Sequence, residues 1–232
     1  MKLNNKRTIL VGLAFLSICA FWQMYDSIVP LILTKTFHMN ETFSGAIMAA
    51  DNILALFLLP FFGSVSDKSH SKLGKRMPFI LFGTGCAIIL MNILPLLDNS
   101  YAAQPSGFKT ASFVIVLGLL LVAMGTYRAP AVALMPDVTP KPLRSRANAI
   151  INLMGAVGGI LYLGVAAGVY PNSKTAGLDH VNYQPLFIVV SAIMFVAVAA
   201  LFLTIREPKL TAENQALEKQ RPEWNLAQDD GS

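Results

Sequence analysis

The chain has 232 residues, 54% of them hydrophobic and only 13% charged, with a formal net charge of +5. Its mean hydropathy of +0.56 lies outside the range of soluble globular domains and places it in the membrane class. The basic excess does not point to a nucleic-acid partner, because Lys and Arg occupy short connectors between apolar runs rather than an amphipathic face interleaved with aromatics.

A spanning helix needs about 20 mostly apolar residues, and six runs qualify, at about 9–33, 43–66, 78–97, 111–136, 147–170 and 186–205. They predict an all-α membrane protein with a bundle over 9–205, a short amino-terminal segment over 1–8 and a charged tail over 206–232. No length is left for a soluble domain. Strands of a membrane barrel, at about ten alternating residues, are far shorter than these runs.

The first run follows "MKLNNKR" and resembles a signal peptide at its start. Ile18 stands before Cys19 where a lipoprotein signal places a small residue, and the apolar run resumes after Asp26, so it reads as the first transmembrane helix. Cys19, Trp22, Gln23, Asp26, Ser27 and Pro30 recur at spacings of three and four and share one helical face. In the second run Ser44, Met48, Asp51, Asn52 and Ala55 align in the same way. The connector that follows, "GSVSDKSHSKLGKRMPFI" from Gly63 to Ile80, packs four Lys or Arg residues and His70 between two apolar runs. Pro30, Pro60, Pro95 and Pro130 are expected to interrupt or end the first four helices. The fourth run carries Arg128, and the fifth carries a stripe of Asn148, Asn152, Gly155, Gly159 and Tyr162. Three helices therefore each offer a polar stripe, expected to face a common interior.

A charge near the bilayer centre costs at least a few kcal/mol and faces a cavity or a partner, which singles out Asp26, Asp51 and Arg128. At about 1.5 Å per residue the two acids lie level, about 10–13 Å below one boundary, and Arg128 about 26 Å down. An Arg128 pair with either acid then has to bridge about 13 Å of depth. Asp26, in the more polar stripe, is the first candidate for a proton carrier, and Gln23, Asp51, Asn52, Asn148 and Asn152 join it as candidate pathway residues. Ser27, Ser44, Asn148 and Asn152 fit interhelical hydrogen bonding equally well. Gly155 with Gly159, and Gly164 with Gly168, have GxxxG spacing and are expected to serve close packing.

Basic residues fix the orientation. Lys2, Lys6 and Arg7, then Lys68, Lys72, Lys75 and Arg76, then Lys141, Arg144 and Arg146, then Arg206, Lys209, Lys219 and Arg221 fall on one side, fourteen against Lys35, Lys109 and Lys174 on the other. The positive-inside rule places both termini in the cytoplasm. No nucleophile–base set, cofactor motif, metal-ligand spacing or Walker-type phosphate loop appears, so neither an enzyme nor ATP-driven transport is indicated.

The connector "GSVSDKSHSKLGKRMPF" resembles the loop between helices 2 and 3 of the major facilitator superfamily, with Gly63, Asp67, Lys68, Gly74, Lys75 and Arg76 in the patterned places. Its longer Asp67-to-Gly74 spacing is similar to the glycoside-pentoside-hexuronide:cation symporters and the sucrose/proton symporter-like branch. "YRAPAVALMPDVTPKPLRSRANAI" resembles the helix 4 to helix 5 region of the sucrose-type branch, with Asp137, Arg144 and Arg146 matching its cytoplasmic charges. The resemblance implies the amino-terminal six-helix half of a plasma-membrane carrier that moves a sugar or glycoside with protons. It also implies that the loop residues from Gly63 to Arg76, with Asp137, Arg144 and Arg146, act as a conformational switch. Two positions depart from it. Ala55 and Leu59 stand where melibiose-type relatives place cation-binding carboxylates, and Val132 stands where plant sucrose carriers place the helix 4 arginine. A sodium site of that kind and sucrose itself are therefore not implied.

The tail resembles the linker between two halves of such a carrier and is followed by no seventh span. A fragment of a longer transporter is expected, with a half-transporter working as a second-copy dimer the alternative. A non-transporting membrane assembly protein, whose charges pair structurally, is the reading from another class.

Overall fold

The structure is a computed structural model that describes residues 3–171, 175, 177, 178, 180–221 and 224. Lys2, Lys174 and most of the tail beyond 221 lie outside the described residues. Six long helices are apolar enough to cross a membrane: α1 Asn5–Leu31, α2 Glu41–Asp67, α3 Met77–Ala103, α4 Gly107–Val138, α5 Arg144–Val169 and α6 Gln184–Thr204. A seventh, α7 Glu207–Gln220, is short and polar. Helices are the necessary solution in hydrocarbon, where each backbone N–H and C=O must find its partner within its own segment.

The helix starts are written locally. The Asn4 side chain accepts from the Arg7 N–H at 3.1 Å, and the Asn40 side chain accepts from the Thr42 N–H at 3.0 Å. Pro78, Pro185 and Pro208 stand in the first turns of α3, α6 and α7, where a missing N–H costs nothing. The internal prolines correct an expectation. Pro60, Pro95 and Pro130 lie inside continuous helices and end none of them, whereas Pro30 stands one residue before the end of α1. Only Pro30 is followed by altered winding, a π-helical turn over Ile32–Thr36, as expected where an i→i−4 bond is lost.

Helix α3 also runs six residues past its apolar stretch, to Ala103. The segment "SYAA" that follows the apolar stretch is helical, and Lys109 Nζ donates to the carbonyls of Ser100 and Gln104 at 2.7 and 2.8 Å. A cation thus adds to the bonding of the last carbonyls at the helix end.

Helix α1 is the central element. It packs against α5 and α6, while α3 packs against α4 and α6, and α2 rests mainly on α4. Lipid tails are as apolar as Leu, so small residues and a few buried hydrogen bonds hold such helices together. A Cβ on Gly158 of α5 would lie 2.0 Å from the Leu16 carbonyl oxygen of α1, and one on Gly83 of α3 would lie 2.7 Å from the Tyr127 nitrogen of α4. Tyr127 Oη lies 2.6 Å from Ser17 Oγ and donates to the Ala14 carbonyl at 3.0 Å. Asn92 Nδ2 donates to Ser191 Oγ at 2.6 Å, joining α3 to α6. The expected GxxxG packing holds for Gly155, whose Cβ would meet Cys19 Sγ at 2.9 Å. It fails for Gly164 and Gly168, which have open space where a Cβ would stand.

Candidate functional site

Two groups of predicted residues separate in the structure, one within the membrane-spanning part and one at the end where the amino terminus and α7 meet. In the first, Asp26, Asn52, Asn148 and Asn152 are exposed, and Gln23, Asp51 and Arg128 are half-buried. The stripes of α1, α2 and α5 do not enclose a common interior. Apart from Ser44, Gly155 and Tyr162, which are buried, they lie on surface that the six helices leave uncovered, because α2 and α5 each contribute little to the core: none of the most apolar stretch of α2 is buried, and 22% of that of α5.

The acids are brought together. Asp51 lies close enough for its charge to act on both Asp26 and Tyr25, in keeping with their equal depth by residue counting. Asp51 accepts from Asn52 Nδ2 at 2.8 Å. Arg128 forms no ion pair with either acid among the described residues. Its guanidinium instead stands 5.6 Å from the centre of the Trp22 ring, a cation–π contact of about 0.5–2 kcal/mol. Trp22, Asp51, Leu58, Gly125 and Arg128 nevertheless line one narrow cleft between α1, α2 and α4, so Arg128 is not isolated from Asp51 by depth. Buried beside them are two polar atoms with no hydrogen-bond partner, Trp22 Nε1 and Tyr25 Oη. Asn148 and Asn152 make no hydrogen bond to this group; α5 reaches α1 through its glycines, where Gln23 Oε1 comes within 3.7 Å of a Cβ placed on Gly159. Together these side chains present acceptors, donors and a free guanidinium, a set suited to a polyhydroxylated ligand.

The second group is tightly bonded around Arg76, which is 5% exposed. Its Nε donates to Asp137 Oδ2 at 2.9 Å, Nη1 donates to Ser66 Oγ at 2.6 Å and to the Gly63 carbonyl at 3.2 Å, and Nη2 pairs with Asp67. One guanidinium therefore ties the end of α2 to the end of α4. Gly63 is not needed for close helix approach, since nothing lies within 4 Å of where its Cβ would be. Its carbonyl, not its missing side chain, is what the cluster uses. Gly74 does need to be glycine: its φ is +114°, and a Cβ would sit 2.4 Å from the Glu207 carboxyl.

Glu207 itself was missed. This residue is 2% exposed and accepts from the backbone N–H groups of Lys75 at 2.7 Å, Arg76 at 2.9 Å and Met77 at 2.8 Å. It closes the amino-terminal end of α3, where the helix dipole favours an anion. Arg144 donates to the carbonyls of Thr139 and Pro136 and to Glu218 of α7 at 3.0–3.1 Å. Asn214 of α7 donates to the Asp137 carbonyl at 3.1 Å. The side chains of Lys68, Lys75 and Arg146 are exposed and take no part in this network. Among the described residues no group of three His, Cys, Asp or Glu side chains is placed to hold a metal.

The sequence pattern of the Major Facilitator Superfamily matches residues 11–227. Similar proteins include the sucrose transport protein SUC3 of Arabidopsis thaliana, 36% identical over 159 residues, covering 63% of this chain and 26% of that protein. Sucrose transport protein SUT3 of Oryza sativa subsp. indica is 36% identical over 154 residues, covering 60% of this chain and 30% of its own length. Sucrose transport protein SUT1 of Oryza sativa subsp. japonica is 28% identical over 169 residues, covering 67% and 31%. The chain thus spans between a quarter and a third of these relatives. No solved structure matches it.

Proposed function

The chain belongs to the Major Facilitator Superfamily, and from that membership we propose that it is the amino-terminal six-helix half of a secondary transporter carrying a sugar or glycoside with protons across the plasma membrane. Both termini then lie in the cytoplasm, on the side where Arg7 meets Glu213 and Arg144 meets Glu218. The observation that carries the reading is the uncovered face. Helices α2 and α5 expose Phe43, Ile53, Phe57, Leu153 and Ile160 beside the polar residues Asp26, Asn52, Asn148 and Asn152. A second six-helix half would cover the apolar residues and leave the polar ones lining a path. The similarity to sucrose transport proteins supports a sugar as cargo.

In this reading Asp26 carries the coupling proton, with Asp51 beside it disfavouring two simultaneous charges. Gln23, Asn52, Asn148 and Asn152 offer hydrogen bonds to hydroxyls, and Arg128 supplies a cation that no acid quenches. Alternating access rocks one six-helix half against the other, and the Arg76 cluster holds the ends of α2 and α4 together at the cytoplasmic edge of this half. It is the lock of one state: Gly63, Ser66, Asp67 and Asp137 bind Arg76 here and must release it in the other. Lys68, Lys75 and Arg146 anchor the connectors at the lipid surface. The test is uptake of labelled sucrose and of aryl glucosides by cells expressing the complete reading frame, with an imposed pH gradient. Uptake that follows the gradient is expected, and an intact protein with no sugar uptake under any gradient overturns the proposal.

A further inference from the structure

At the end of the bundle away from the amino terminus, a carboxylate is buried that the transport reading does not use. Asp98, near the end of α3, is 0% exposed, and neither of its oxygens has a hydrogen-bond partner among the described residues. His180 Nδ1 stands 3.9 Å from its Oδ1, and the Thr36 hydroxyl lies beside it as well.

The state of the other ring nitrogen follows from its neighbours. The Gln184 backbone N–H donates to Asn182 Oδ1 at 3.0 Å, so that atom is an oxygen. It also accepts from Asn99 Nδ2 at 2.9 Å, which turns Asn99 Oδ1 toward His180 Nε2 at 3.0 Å. An oxygen in that place requires hydrogen on Nε2. The variable position is therefore Nδ1. With no proton there, its lone pair would face an ionised carboxylate shielded from water, an uncompensated buried charge. One proton removes the conflict. It sits on Nδ1, making an imidazolium–carboxylate pair, or on Asp98, leaving Nδ1 to accept from Thr36 Oγ1 at 3.2 Å.

We propose that Asp98 and His180 form a proton-binding site, distinct from Asp26 and Asp51, whose single shared proton ties together the far ends of α1 and α3 and the segment before α6. Beyond the Thr36 hydroxyl, which brings no positive charge, the surrounding groups offer no other source of compensation. Tyr183 and Tyr170 carry no positive charge, Lys109 is engaged by the Ser100 and Gln104 carbonyls, and Lys35, His38 and Glu41 are exposed. An imidazole in an unfolded chain releases its proton near pH ~6.5, and a site that keeps one shared proton in the folded chain does not. Above that point the folded state binds more protons than the unfolded one, and stability falls as pH rises.

The test is thermal unfolding of the chain in lipid nanodiscs from about pH 6 to about pH 9. The midpoint is expected to fall by about 3 °C per pH unit, one proton's worth for a chain of this size, and Asp98→Asn is expected to remove most of that slope. An equal slope in chain and variant overturns the proposal. Should Asp98→Asn not fold, infrared spectroscopy of the carboxyl band and nitrogen NMR of the His180 ring in the unaltered chain decide. A protonated carboxyl or an imidazolium at about pH 8 upholds the site, and an ionised Asp98 beside a neutral ring overturns it.

Discussion

Replacing Glu207 by Gln removes a charge without removing volume. In the structure one carboxylate satisfies three consecutive N–H groups: Oε1 accepts from Lys75 and Arg76, and Oε2 accepts from Met77 at 2.8 Å. An amide keeps one oxygen and presents an NH2 group to the remaining donor, so at least one buried N–H loses its partner at about 1–3 kcal/mol. Loss of the favourable charge at a helix start adds about 0.3–2 kcal/mol. The sum, about 3 kcal/mol, corresponds to about 6–12 °C in the unfolding midpoint of a chain this long. Cys19 and Cys86 are free and half-buried, so a thiol-reactive fluorophore that labels them on unfolding reports the midpoint directly. Glu213→Gln is the control, because its contacts to Arg7 and Lys209 span 3.9 and 4.0 Å at a surface position, and exposed pairs of that kind contribute little. A Glu207→Gln midpoint indistinguishable from that of Glu213→Gln would refute the capping role.

Gly158→Ala drives a methyl against the Leu16 carbonyl oxygen at 2.0 Å, whereas Gly164→Ala meets nothing within 4 Å. The first is expected to unfold the α1–α5 contact at a cost of several kcal/mol and the second to be neutral or slightly stabilising, about 0.5–1 kcal/mol in favour, with both read by the same fluorophore assay. In the completed transporter, Asp67→Asn is expected to lower the maximal uptake rate with little change in the concentration for half-saturation, since it unties Arg76 from α2; normal turnover would exclude the switch. Asp26→Asn is expected to abolish sugar-driven proton entry while sugar exchange between the two sides persists, and an unchanged proton-to-sugar ratio would remove Asp26 from the proton path.

The six spans were legible because hydrocarbon demands long unbroken apolar runs, and six helices long and apolar enough to cross a membrane are present. Helix ends were less legible where tertiary partners extend them. Asp98, Asn99 and Ser100 look like a turn in sequence, yet bonds from His180 and Lys109 keep them helical. The residues that glue the helices, Ser17 with Tyr127 and Asn92 with Ser191, are chemically no different from Ser112, which donates back to the Phe108 carbonyl of its own helix. Period alone cannot tell a hydroxyl that crosses to a neighbour from one that folds back. Asp67, Gly74, Arg76 and Asp137 were recognisable through a resemblance, and the structure gathers three of their charges into one cluster. Glu207 had no local signal, because its partners lie 130 to 132 positions earlier in a chain whose tail reads as a solvated linker.

That sequence distance bears on how the protein is made. Until the ribosome has produced α4, α5, α6 and Glu207, the first N–H groups of α3 lack their protein acceptor and have only water to bond. The carboxylate of Glu207 then arrives as a late part, joining the α2–α3 connector to the start of α7 in one event. A nascent chain halted before this point can thread all six spans and still display an unsealed, cationic corner at the membrane surface. Quality-control proteases that sample exposed connectors would have a means of telling an unfinished bundle from a finished one.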